Sequence, residues 1–523
     1  MAKHLHLTDA GRLFQENEIL LTGGNGFLGK VILAMLLDRY PQVRHIHVLL
    51  RPGRGLSAAE RFNTEIMDSP VMAGLITTHD EQLVREKISI WPGELSVTNC
   101  GLDEQALNVI AARVKLIINC AGKVEFFPPV DESLHANVDG VENAIALAKR
   151  AGARLLHVST CFVSGEADGL IEETEPIIGF YPHRKGSDDN AFDARQELAY
   201  CREQVRLITD VEAPDENGRA RSKETTQKLV ALGKRRAEHW GWVNTYTYSK
   251  SLGEQLIAQE NDLAWSIVRP AIVESALRFP FPGWIEGGRT AAPLVLMAMG
   301  GLKHWPVRRN TPLEVVPVDM VAAAILAVGA LLLDGRAESV YQLGTADVNP
   351  IKLGPLVNLL RQEARRRAGQ DGKGKLPIAV GAARGRARFI SIEEARARRQ
   401  KLEKRIQRAQ VILDRMHSAV NRAGLPGKKS LAGWKSALRT LGLQARFREQ
   451  TLDQYLPFIL HNRYIFESEN IRAAYQKLRE RDQLLLPWDP ERIDWKGYWI
   501  HHQIEGIEKW IQPEAVKEWS FKI

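Results

Sequence analysis

The chain has 523 residues, too many for a single hydrophobic core, so we expect two or more domains. Its apolar share of 44% and charged share of 26% are typical of soluble globular proteins and exclude a disordered chain. The net charge of +8 favours anionic partners such as phosphates, nucleic acid or acidic lipid, without choosing among them.

The cysteines, the amino terminus and the longest apolar run bear on location. The four cysteines (Cys100, Cys120, Cys161 and Cys201) show no CxxC or CxxH spacing, which favours a reducing compartment and predicts no metal site. The first residues contain no apolar region of a secretory signal. The apolar run 321–333 is shorter than the about 20 residues that a membrane span needs. We therefore expect a cytoplasmic protein, with peripheral association with a membrane or lipid bodies left open.

From residue 18 to about 345, short runs rich in β-branched residues alternate with helical stretches. The runs are EILLT, HIHVLL, VKLIINC, RLLHVS and AWSIVRP. Such alternation predicts βαβ units and an α/β fold: a Rossmann-type doubly wound parallel sheet with a smaller helical C-terminal domain. We place the domain boundary at residue 355, and we expect a helical insertion at about 181–242, where a polar stretch interrupts the βαβ rhythm.

The first predicted strand leads into a glycine-rich turn and then an apolar helix, in EILLTGGNGFLGKVILAMLL. Gly23, Gly26 and Gly29 form the pattern G-x-x-G-x-x-G. Glycines in such a turn let a pyrophosphate approach the backbone N–H groups at a helix N-terminus. Ordinary β–α turns also contain glycines, but the position on the first strand, ahead of an apolar helix, favours dinucleotide binding.

The second predicted strand bears on which dinucleotide binds. It ends HVLLRPGRG, with Arg51 where an NAD site usually has an acidic residue. Because a guanidinium suits a 2′-phosphate, we predict NADPH as the cofactor. Arg54 or Arg61 is a candidate second phosphate partner, and a solvated surface arginine is the alternative interpretation of all three.

The strand RLLHVS ends in Ser159 and is followed by Thr160, at an end that faces the cofactor in this fold class. Thr160 is the first choice for the group that polarises a substrate carbonyl, and Ser159 is the reserve. Cys161 is a rival as a nucleophile, but no histidine base or sequence-adjacent cation supports it, and buried cysteines are usually inert.

Two tyrosines precede a lysine in the stretch NTYTYSK. Tyr246 and Lys250 are four residues apart, so on a helix their Cβ atoms would lie about 6 Å apart on one face. Tyr248 points elsewhere and is expected to contribute packing. Since an ammonium lowers the pKa of a neighbouring tyrosine and can hold a nicotinamide ribose, we predict that Tyr246 and Lys250 form a proton-transfer pair.

These motifs resemble those of the extended short-chain dehydrogenases/reductases, and among them the fatty acyl-CoA reductase (male-sterility-like) family. The matching segments are TGGNGFLGK, LLRP, INCAGKVEFFPPVDESLHANVDG, HVSTCFV, NTYTYSKSLGE, SIVRPAIVESALRFPFPGWIEG, VVPVDMV and DWKGYWIHHQIEGIEKWI. The resemblance covers nearly the whole chain. It implies an NADP-binding reductase domain over residues 1–355 and a helical male-sterility-like domain over residues 356–523.

The family resemblance also implies cofactor contacts along the predicted edge of the sheet. Including the motif residues above, the candidate cofactor-binding residues are Thr22, Gly23, Asn25, Gly26, Phe27, Leu28, Gly29, Arg51, Arg61, Glu94, Leu95, Ala121, Gly122, Lys123, Tyr246, Lys250, Pro270 and Ile272. Asn137 would support the central strands. Gly93-Glu94 stands where the family has Gly-Asp, which is expected to lengthen the contact with the adenine.

The activity that the resemblance implies is NADPH-dependent reduction of a long-chain fatty acyl-CoA to a fatty alcohol, through an aldehyde, with release of CoA. The segment PFPGWIEGGRTAAPLVLMAMGGL would line an acyl tunnel or lie on a membrane, or else form an ordinary core strand and helix. The very basic zone 361–408 would bind CoA phosphates or acidic lipid head groups, or else form a solvated helical face.

Several other functions stay open at this point. One is a reductase that stops at the aldehyde or acts on carrier-protein thioesters. A sugar epimerase or steroid dehydrogenase would share the glycine turn and the Tyr–Lys pair, but should lack the apolar segment and the second domain. A non-catalytic NADP-sensing protein would not need Tyr246 and Lys250 in register. No recognition motif accompanies the positive charge, so no nucleic-acid partner is expected, and the oligomeric state is undefined.

Overall fold

A computed structural model of the chain describes residues 7–174, 176–186, 188–210, 221–287, 291–369, 386–423 and 462–511, with the single positions 433, 434, 436, 438, 439, 442 and 458. Contacts divide the chain into two compact units. Unit 1 comprises Met1–Trp284, Glu314–Pro350 and Tyr464–Ile493, and unit 2 comprises Ile285–Leu313, Ile351–Arg463 and Asp494–Ile523. The division into functional domains at residue 355 stays a prediction.

Seven parallel strands form the centre of unit 1. They are β1 (Glu18–Thr22), β2 (His45–Leu50), β3 (Ile88–Pro92), β4 (Val114–Asn119), β5 (Arg154–Val158), β6 (Trp265–Pro270) and β7 (Val340–Leu343). Their order across the sheet is β7-β6-β5-β4-β1-β2-β3, so the direction of winding reverses between β1 and β4. Open α/β sheets bind ligands outside the carboxyl ends of their strands at such a switch point. The predicted Rossmann-type sheet is confirmed.

Helices connect and flank these strands, and further helices build unit 2. The longer ones are α1 (Phe27–Arg39), α2 (Glu104–Arg113), α3 (Gly140–Ala151), α4 (Ala194–Thr209), α5 (Lys223–Trp240), α6 (Thr245–Ala258), α7 (Val318–Leu333), α8 (Leu353–Gly369) and α9 (Ile392–Ala423). Shorter helices span Ala10–Glu16, Ala58–Arg61, Pro70–Thr78, Glu81–Glu86, Val130–Leu134, Ala292–Met299, Glu469–Gln476, Glu480–Leu485, Trp495–Gly497 and Ile504–Gly506.

Tighter or wider helical turns and short strand pairs complete the described elements. The turns span Phe62–Met67, Thr98–Gly101, His135–Asp139, Cys161–Ser164, Pro490–Arg492, Tyr498–Gln503 and Ile507–Ile511. The short strands pair Ile272–Glu274 with Val315–Pro317, Pro312–Leu313 with Ile351–Lys352, His304–Trp305 with Arg388–Phe389, and Asp168–Ile171 with Arg463–Phe466.

The longest apolar run of the sequence lies in α7, all of whose residues are buried. A helix that is apolar on every side is stable only when protein surrounds it, and each buried leucine or isoleucine contributes about 1.5–3 kcal/mol. Gly329 lets α7 approach the sheet, because a Cβ there would lie 3.2 Å from Leu116 of β4. In the part of the chain that is described, no helix is long and apolar enough to cross a membrane.

Residues 464–493 return to unit 1 after the helical region and are held there by two buried carboxylates. Glu314 accepts hydrogen bonds from the backbone N–H groups of Thr345 at 3.0 Å and Phe466 at 2.8 Å. Glu173 accepts from Asn470 N at 2.7 Å. Burial raises the pKa of each carboxyl to about 7. The sequence pattern did not predict this return.

Candidate active site

The glycine turn between β1 and α1 is closely packed against the segment that follows β4. Gly23 has a φ of 69°, and a Cβ there would lie 2.8 Å from the backbone of Cys120 and Ala121. A Cβ on Gly29 would lie 2.1 Å from the carbonyl oxygen of Gly23. Side chains are therefore excluded, and the N-terminal turn of α1 stays open to a ligand at Gly26, which is exposed. This geometry fits a pyrophosphate beside backbone N–H groups.

The other residues of the predicted turn divide into accessible and buried ones. Asn25, Phe27 and Leu28 are half-buried, and the Phe27 ring lies 5.0 Å from that of Trp284. Asn25 Nδ2 donates to Glu65 Oε2 at 2.8 Å. Thr22 is buried beneath the turn, so it supports the backbone and does not face the outside.

A chain of buried polar side chains runs from Thr22 across the sheet. Thr22 Oγ1 donates to Asn119 Oδ1 at 2.8 Å, and Asn119 Nδ2 lies 3.2 Å from His157 Nδ1. His157 Nε2 lies 3.4 Å from Lys250 Nζ. Burial, together with the ammonium of Lys250, lowers the pKa of His157 well below its usual value, so the imidazole is neutral. The chain joins the glycine turn to the lysine of the predicted catalytic pair.

Helix α6 presents Tyr246 and Lys250 at the end of β5. The helix begins after Asn244, whose side chain accepts from Thr247 N at 2.9 Å and caps the first turn. Lys250 is buried, and its Nζ donates to Val158 O at 2.7 Å. Burial lowers the pKa of Lys250 to about 8 although Cys120 and Glu254 raise it. The ammonium is thus held at the carboxyl end of the sheet with a pKa close to neutral pH.

Thr160 and Tyr246, which are 86 residues apart in sequence, meet at this edge. The Tyr246 side chain forms a hydrogen bond with that of Thr160, which lowers its pKa, but burial is the larger effect and raises the pKa. Thr160 Oγ1 is 3.4 Å from Pro270 O and from Phe162 N, two long contacts. A substrate oxygen can replace such weak partners at little cost. Within the described residues, the buried Ser159 Oγ has no hydrogen-bond partner. Its hydroxyl is therefore free to bind a substrate oxygen, and Ser159 stays the second choice after Thr160.

Tyr248 points away from Lys250, as its spacing predicted, into the two helices of the insertion. It is fully buried, its hydroxyl donates to Glu197 Oε1 at 2.5 Å, and Cys201 Sγ lies 3.2 Å away. Arg236 holds the same carboxylate with two hydrogen bonds of 2.8 and 2.6 Å. Tyr248 therefore fixes α6 to α4 and α5 by a hydrogen bond as well as by packing.

The wall that follows β4 contains Ala121, Gly122 and Lys123. Asn137 accepts from Lys123 N at 2.9 Å and donates to Lys123 O at 3.0 Å and to Ser249 Oγ at 2.9 Å. It therefore joins this wall to α6, whereas we expected it to support the central strands. Gly122 must stay small, because a Cβ there would lie 2.9 Å from Asn137 Oδ1 and 3.6 Å from Lys250 Nζ.

Arg51 lies directly after β2, with 64% of its side chain exposed, and its Nη1 is 3.0 Å from Glu94 Oε2. Arg61 donates Nη1 to the Arg51 carbonyl at 2.6 Å and binds Glu65 through Nε at 3.0 Å and Nη2 at 2.9 Å. Arg51 is thus accessible to a phosphate, whereas three donors of Arg61 are already bound to Glu65 and the Arg51 carbonyl. Leu95 is buried behind Glu94.

The remaining predicted residues lie at the end of β6. Pro270 is buried and Ile272 is half-buried, at the start of the short strand Ile272–Glu274. Cys161 donates Sγ–H to Arg269 O at 2.7 Å, and burial raises the pKa of its thiol well above the usual value. A thiolate nucleophile is therefore not available at Cys161, in agreement with its low rank among the candidates.

Sequence reasoning missed Asn119 and His157. Both occupy the ends of buried strands, VKLIIN and RLLHV, where a polar side chain must find a partner. That signal was present in the sequence, but their pairing depends on the sheet order. Among the residues that the structure covers, no group of His, Cys, Asp and Glu is arranged to hold a metal ion.

The segment expected to line an acyl tunnel is only partly described, because residues 288–290 lie outside the described residues. Trp284 lies beside the glycine turn of unit 1 through its contact with Phe27. The helix Ala292–Met299 is almost entirely buried within unit 2. This burial fits the alternative of an ordinary core helix.

Comparison with known proteins identifies the family. Residues 21–325, more than half of the chain, match the NAD-binding family model described as male sterility protein. The chain is 29% identical to fatty acyl-CoA reductase 1 of Arabidopsis thaliana, over 94% of this chain and 96% of that protein. It is 31% identical to the alcohol-forming fatty acyl-CoA reductase of Simmondsia chinensis, over 66% of this chain and 70% of that protein.

A solved structure shares the fold. The terminal R domain from the myxalamid PKS-NRPS biosynthetic pathway matches with a TM-score of 0.51 at 17% identity, over 88% of this chain and 85% of that one. The family model and the open glycine turn together indicate a nicotinamide cofactor. The chain belongs to the male sterility protein family, the fatty acyl-CoA reductases among the extended short-chain dehydrogenases/reductases.

Proposed function

We propose that this protein reduces a long-chain fatty acyl-CoA to a fatty alcohol with NADPH, through an aldehyde, and releases CoA. The observation that carries the proposal is the meeting of Thr160, Tyr246 and Lys250 at the carboxyl end of the sheet, beside the glycine turn. Membership of the family supports the substrate class, because the two relatives named above are fatty acyl-CoA reductases.

The residues present fit a bound nicotinamide dinucleotide. Gly23 and Gly29 leave no room for side chains where the pyrophosphate would lie, and the buried ammonium of Lys250 lies at the same edge of the sheet. When bound, NADPH supplies one hydride to the acyl carbon and a second to the aldehyde, so two NADPH and two protons give one alcohol and one CoA thiol.

Thr160 Oγ1 and the Tyr246 hydroxyl would donate hydrogen bonds to the substrate oxygen as negative charge develops on it. The two hydroxyls already lie within reach of each other, so one small oxygen atom can be held by both. Tyr246 would then give its proton to the alkoxide formed from the aldehyde. Because burial raises the pKa of Tyr246, the hydroxyl keeps its proton at neutral pH until the alkoxide forms.

Lys250 would stabilise the tyrosinate that this proton transfer leaves behind. Its ammonium lies on the same face of α6 as Tyr246, one helical turn later. Val158 O accepts a hydrogen bond from the ammonium and holds it in place without adding a negative charge, so its field acts on the site. The side chain is therefore a binding and electrostatic group, and Tyr246 is the proton donor.

We assign NADPH over NADH because of Arg51. The guanidinium is exposed at the carboxyl end of β2, where a 2′-phosphate would lie, and a phosphate would compete with Glu94 for it. Glu94 introduces the opposite tendency, since a carboxylate at this edge can accept hydrogen bonds from a ribose hydroxyl. The selectivity for NADPH thus depends on the balance between Arg51 and Glu94.

Arg51→Ala should raise the KM for NADPH about tenfold or more and change the KM for NADH less than about twofold, because only NADPH loses a charged hydrogen bond. Steady-state kinetics with each cofactor measures the difference. Glu94→Gln is the matched variant: it frees Arg51 and should increase the preference for NADPH. Equal effects of Arg51→Ala on the two cofactors would remove the assignment.

The reaction is tested by mixing the protein with palmitoyl-CoA and excess NADPH, and by measuring NADPH oxidation, thiol release and the organic product. Two NADPH oxidised per thiol released, with hexadecanol as product, is the expected result. A ratio of one with hexadecanal would mean that the protein stops at the aldehyde. No thiol release with palmitoyl-CoA would refute the proposed function, and turnover of a carrier-protein thioester alone would redirect it.

A further inference from the structure

Unit 2 contains a cavity with a strongly basic lining, well outside the sequence motifs of the reductase. Its volume is about 330 Å³. The lining residues are Arg309, Asn358, Arg361, Gln362, Arg365, Arg386, Ala387 and Phe389. Among the described residues that line it there are four arginines and no acidic side chain. We call this cavity the arginine pocket.

One face of α8 builds the floor of the arginine pocket. Asn358, Arg361, Gln362 and Arg365 follow the spacing i, i+3, i+4 and i+7, so their side chains form one stripe along the helix. The neighbouring positions Val357, Leu360 and Ala364 are buried and anchor the helix in unit 2. The stripe is therefore fixed by the core of the unit, and the two amides add neutral donors between the guanidinium groups.

Arg309 is brought to this stripe by the backbone at the start of α8. Gly354 N donates to Arg309 O at 2.9 Å, and a Cβ on Gly354 would lie 2.3 Å from Arg309 Cγ. Only glycine permits this approach. On the other side, Arg386 precedes the strand Arg388–Phe389, which pairs with His304–Trp305. Three separate segments of unit 2 therefore converge on the pocket.

Three of the four arginines, Arg309, Arg365 and Arg386, have no carboxylate partner among the described residues that line the arginine pocket. Within the described part of the chain, the guanidinium groups of Arg309, Arg365 and Arg386 form no ion pair or hydrogen bond. Glu363, the nearest acid in sequence, is bound by Arg366 and Arg367 instead. Arginine side chains without carboxylates, placed around one cavity, repel one another, and a bound anion would remove that repulsion.

Arg361 lies deepest in the arginine pocket. It is 2% exposed, and its Nη1 donates to Leu302 O at 2.8 Å. Burial and the neighbouring Arg365 guanidinium lower the pKa of Arg361. Two guanidinium groups are therefore close together at the back of the pocket, and Phe389 offers an apolar surface to the group that would carry an anion.

We propose that the arginine pocket of unit 2 binds a phosphomonoester dianion. Several guanidinium forks around one cavity match the three acceptor oxygens of a phosphate, which single carboxylates or chloride would fill poorly. The cavity volume is at the lower end of the range for small-molecule sites, enough for the phosphate and part of its organic group. The phosphate would belong to a free nucleotide-type ligand or to a lipid head group. The site does not depend on the proposed reduction.

The test uses the full chain with saturating NADP⁺, which occupies the glycine turn so that any further phosphate binding is separate from it. Adenosine 3′,5′-bisphosphate is titrated by calorimetry in one arm, and vesicles of phosphatidylcholine with phosphatidic acid are sedimented with the protein in the other. Arg365→Gln/Arg386→Gln removes two exposed arginines of the pocket. Arg405→Gln/Arg408→Gln removes two exposed arginines of α9 and makes the same change in net charge.

We expect binding in one arm, weakened about 30-fold or more by the pocket double variant and less than about twofold by the α9 double variant. The arm in which binding occurs identifies the source of the phosphate. Thermal unfolding of both variants checks that unit 2 stays folded. Equal weakening by the two double variants would mean a diffuse basic surface, and no saturable binding in either arm would mean that the pocket is not a phosphate site; either result overturns the proposal.

Discussion

Tyr246→Phe should lower the turnover of a long-chain aldehyde about 10³-fold, the loss expected when a general acid is removed. The hydroxyl is the only part removed, and it lies beside Thr160 where the substrate oxygen would bind. Affinity for NADPH should change little, because the glycine turn, Arg51 and Lys250 are intact. Single-turnover reduction of hexadecanal, followed by NADPH absorbance, measures the loss, and fluorescence titration with NADPH measures the retained affinity.

Tyr248→Phe is the matched control, since it removes the same atom two residues later in the same helix. It breaks the 2.5 Å hydrogen bond to Glu197, and among the described residues the buried carboxylate keeps Arg236 and the weak Cys201 contact. We expect a loss of about 1–3 kcal/mol in the free energy of unfolding and turnover of the folded fraction within about twofold of the parent chain. If Tyr248→Phe were the inactive variant and Tyr246→Phe the active one, the choice of proton donor would be wrong.

The parts of the site that could be predicted from the sequence are those whose residues lie close together along the chain. Gly23 and Gly29 are close together in sequence, and their need for a missing Cβ follows from one strand–turn–helix unit. The spacing of Tyr246 and Lys250 is a property of a single helix. Alternating apolar runs were likewise sufficient for the parallel sheet, because each run buries itself against its neighbours whatever their order.

The parts that could not be predicted depend on which strands and loops become neighbours. The contact of Asn119 with His157 requires β4 beside β5, and the pair of Arg51 with Glu94 requires β2 beside β3. Composition and periodicity carry no such order. The burial of a side chain also depends on which elements become neighbours. In the sequence Lys250 resembles any helical lysine, and only the packed structure shows that its side chain is almost fully buried.

Helix α6 is held by hydrogen bonds on two sides. Toward the insertion, Tyr248 donates a hydrogen bond to Glu197, which Arg236 also holds. Toward the sheet, Lys250 donates to Val158 O. Ser249 between them contacts Asn137, which holds the wall after β4. A helix fixed along its first two turns keeps the Tyr246 hydroxyl at one place, and such positioning contributes directly to rate. The insertion therefore supports the candidate active site through Glu197, Cys201 and Arg236.

The pKa of Lys250, about 8, predicts the pH dependence of the free enzyme. We expect kcat/KM for NADPH to be constant below about pH 8 and to fall tenfold per pH unit above it, because only the ammonium form holds the ribose and stabilises the tyrosinate. Lys250→Met should lower kcat/KM about 10²-fold or more at pH 7 and abolish the alkaline decline. Lys250→Arg keeps its charge at every pH used and should move the decline out of the measurable range.

The groups around Lys250 make this test specific. Burial raises the pKa of Cys120 to about 11 and raises that of Tyr246 above its usual value. The pKa of His157 is lowered well below its usual value, so none of the three groups titrates near pH 8.

The lowered pKa of Lys250 also makes the stability of the folded chain depend on pH. Lys250 loses its proton at about pH 8 in the folded chain, whereas an exposed lysine in the unfolded chain loses it at about pH 10.5. Between these values the unfolded chain binds more protons, so the free energy of unfolding increases as the pH rises through that range. Lys250→Met should remove both the kinetic decline and this gain in stability. A parent enzyme with constant kcat/KM up to pH 9.5, or a Lys250→Met variant that retains the decline, would show that another group titrates and that Lys250 is not the electrostatic partner of Tyr246.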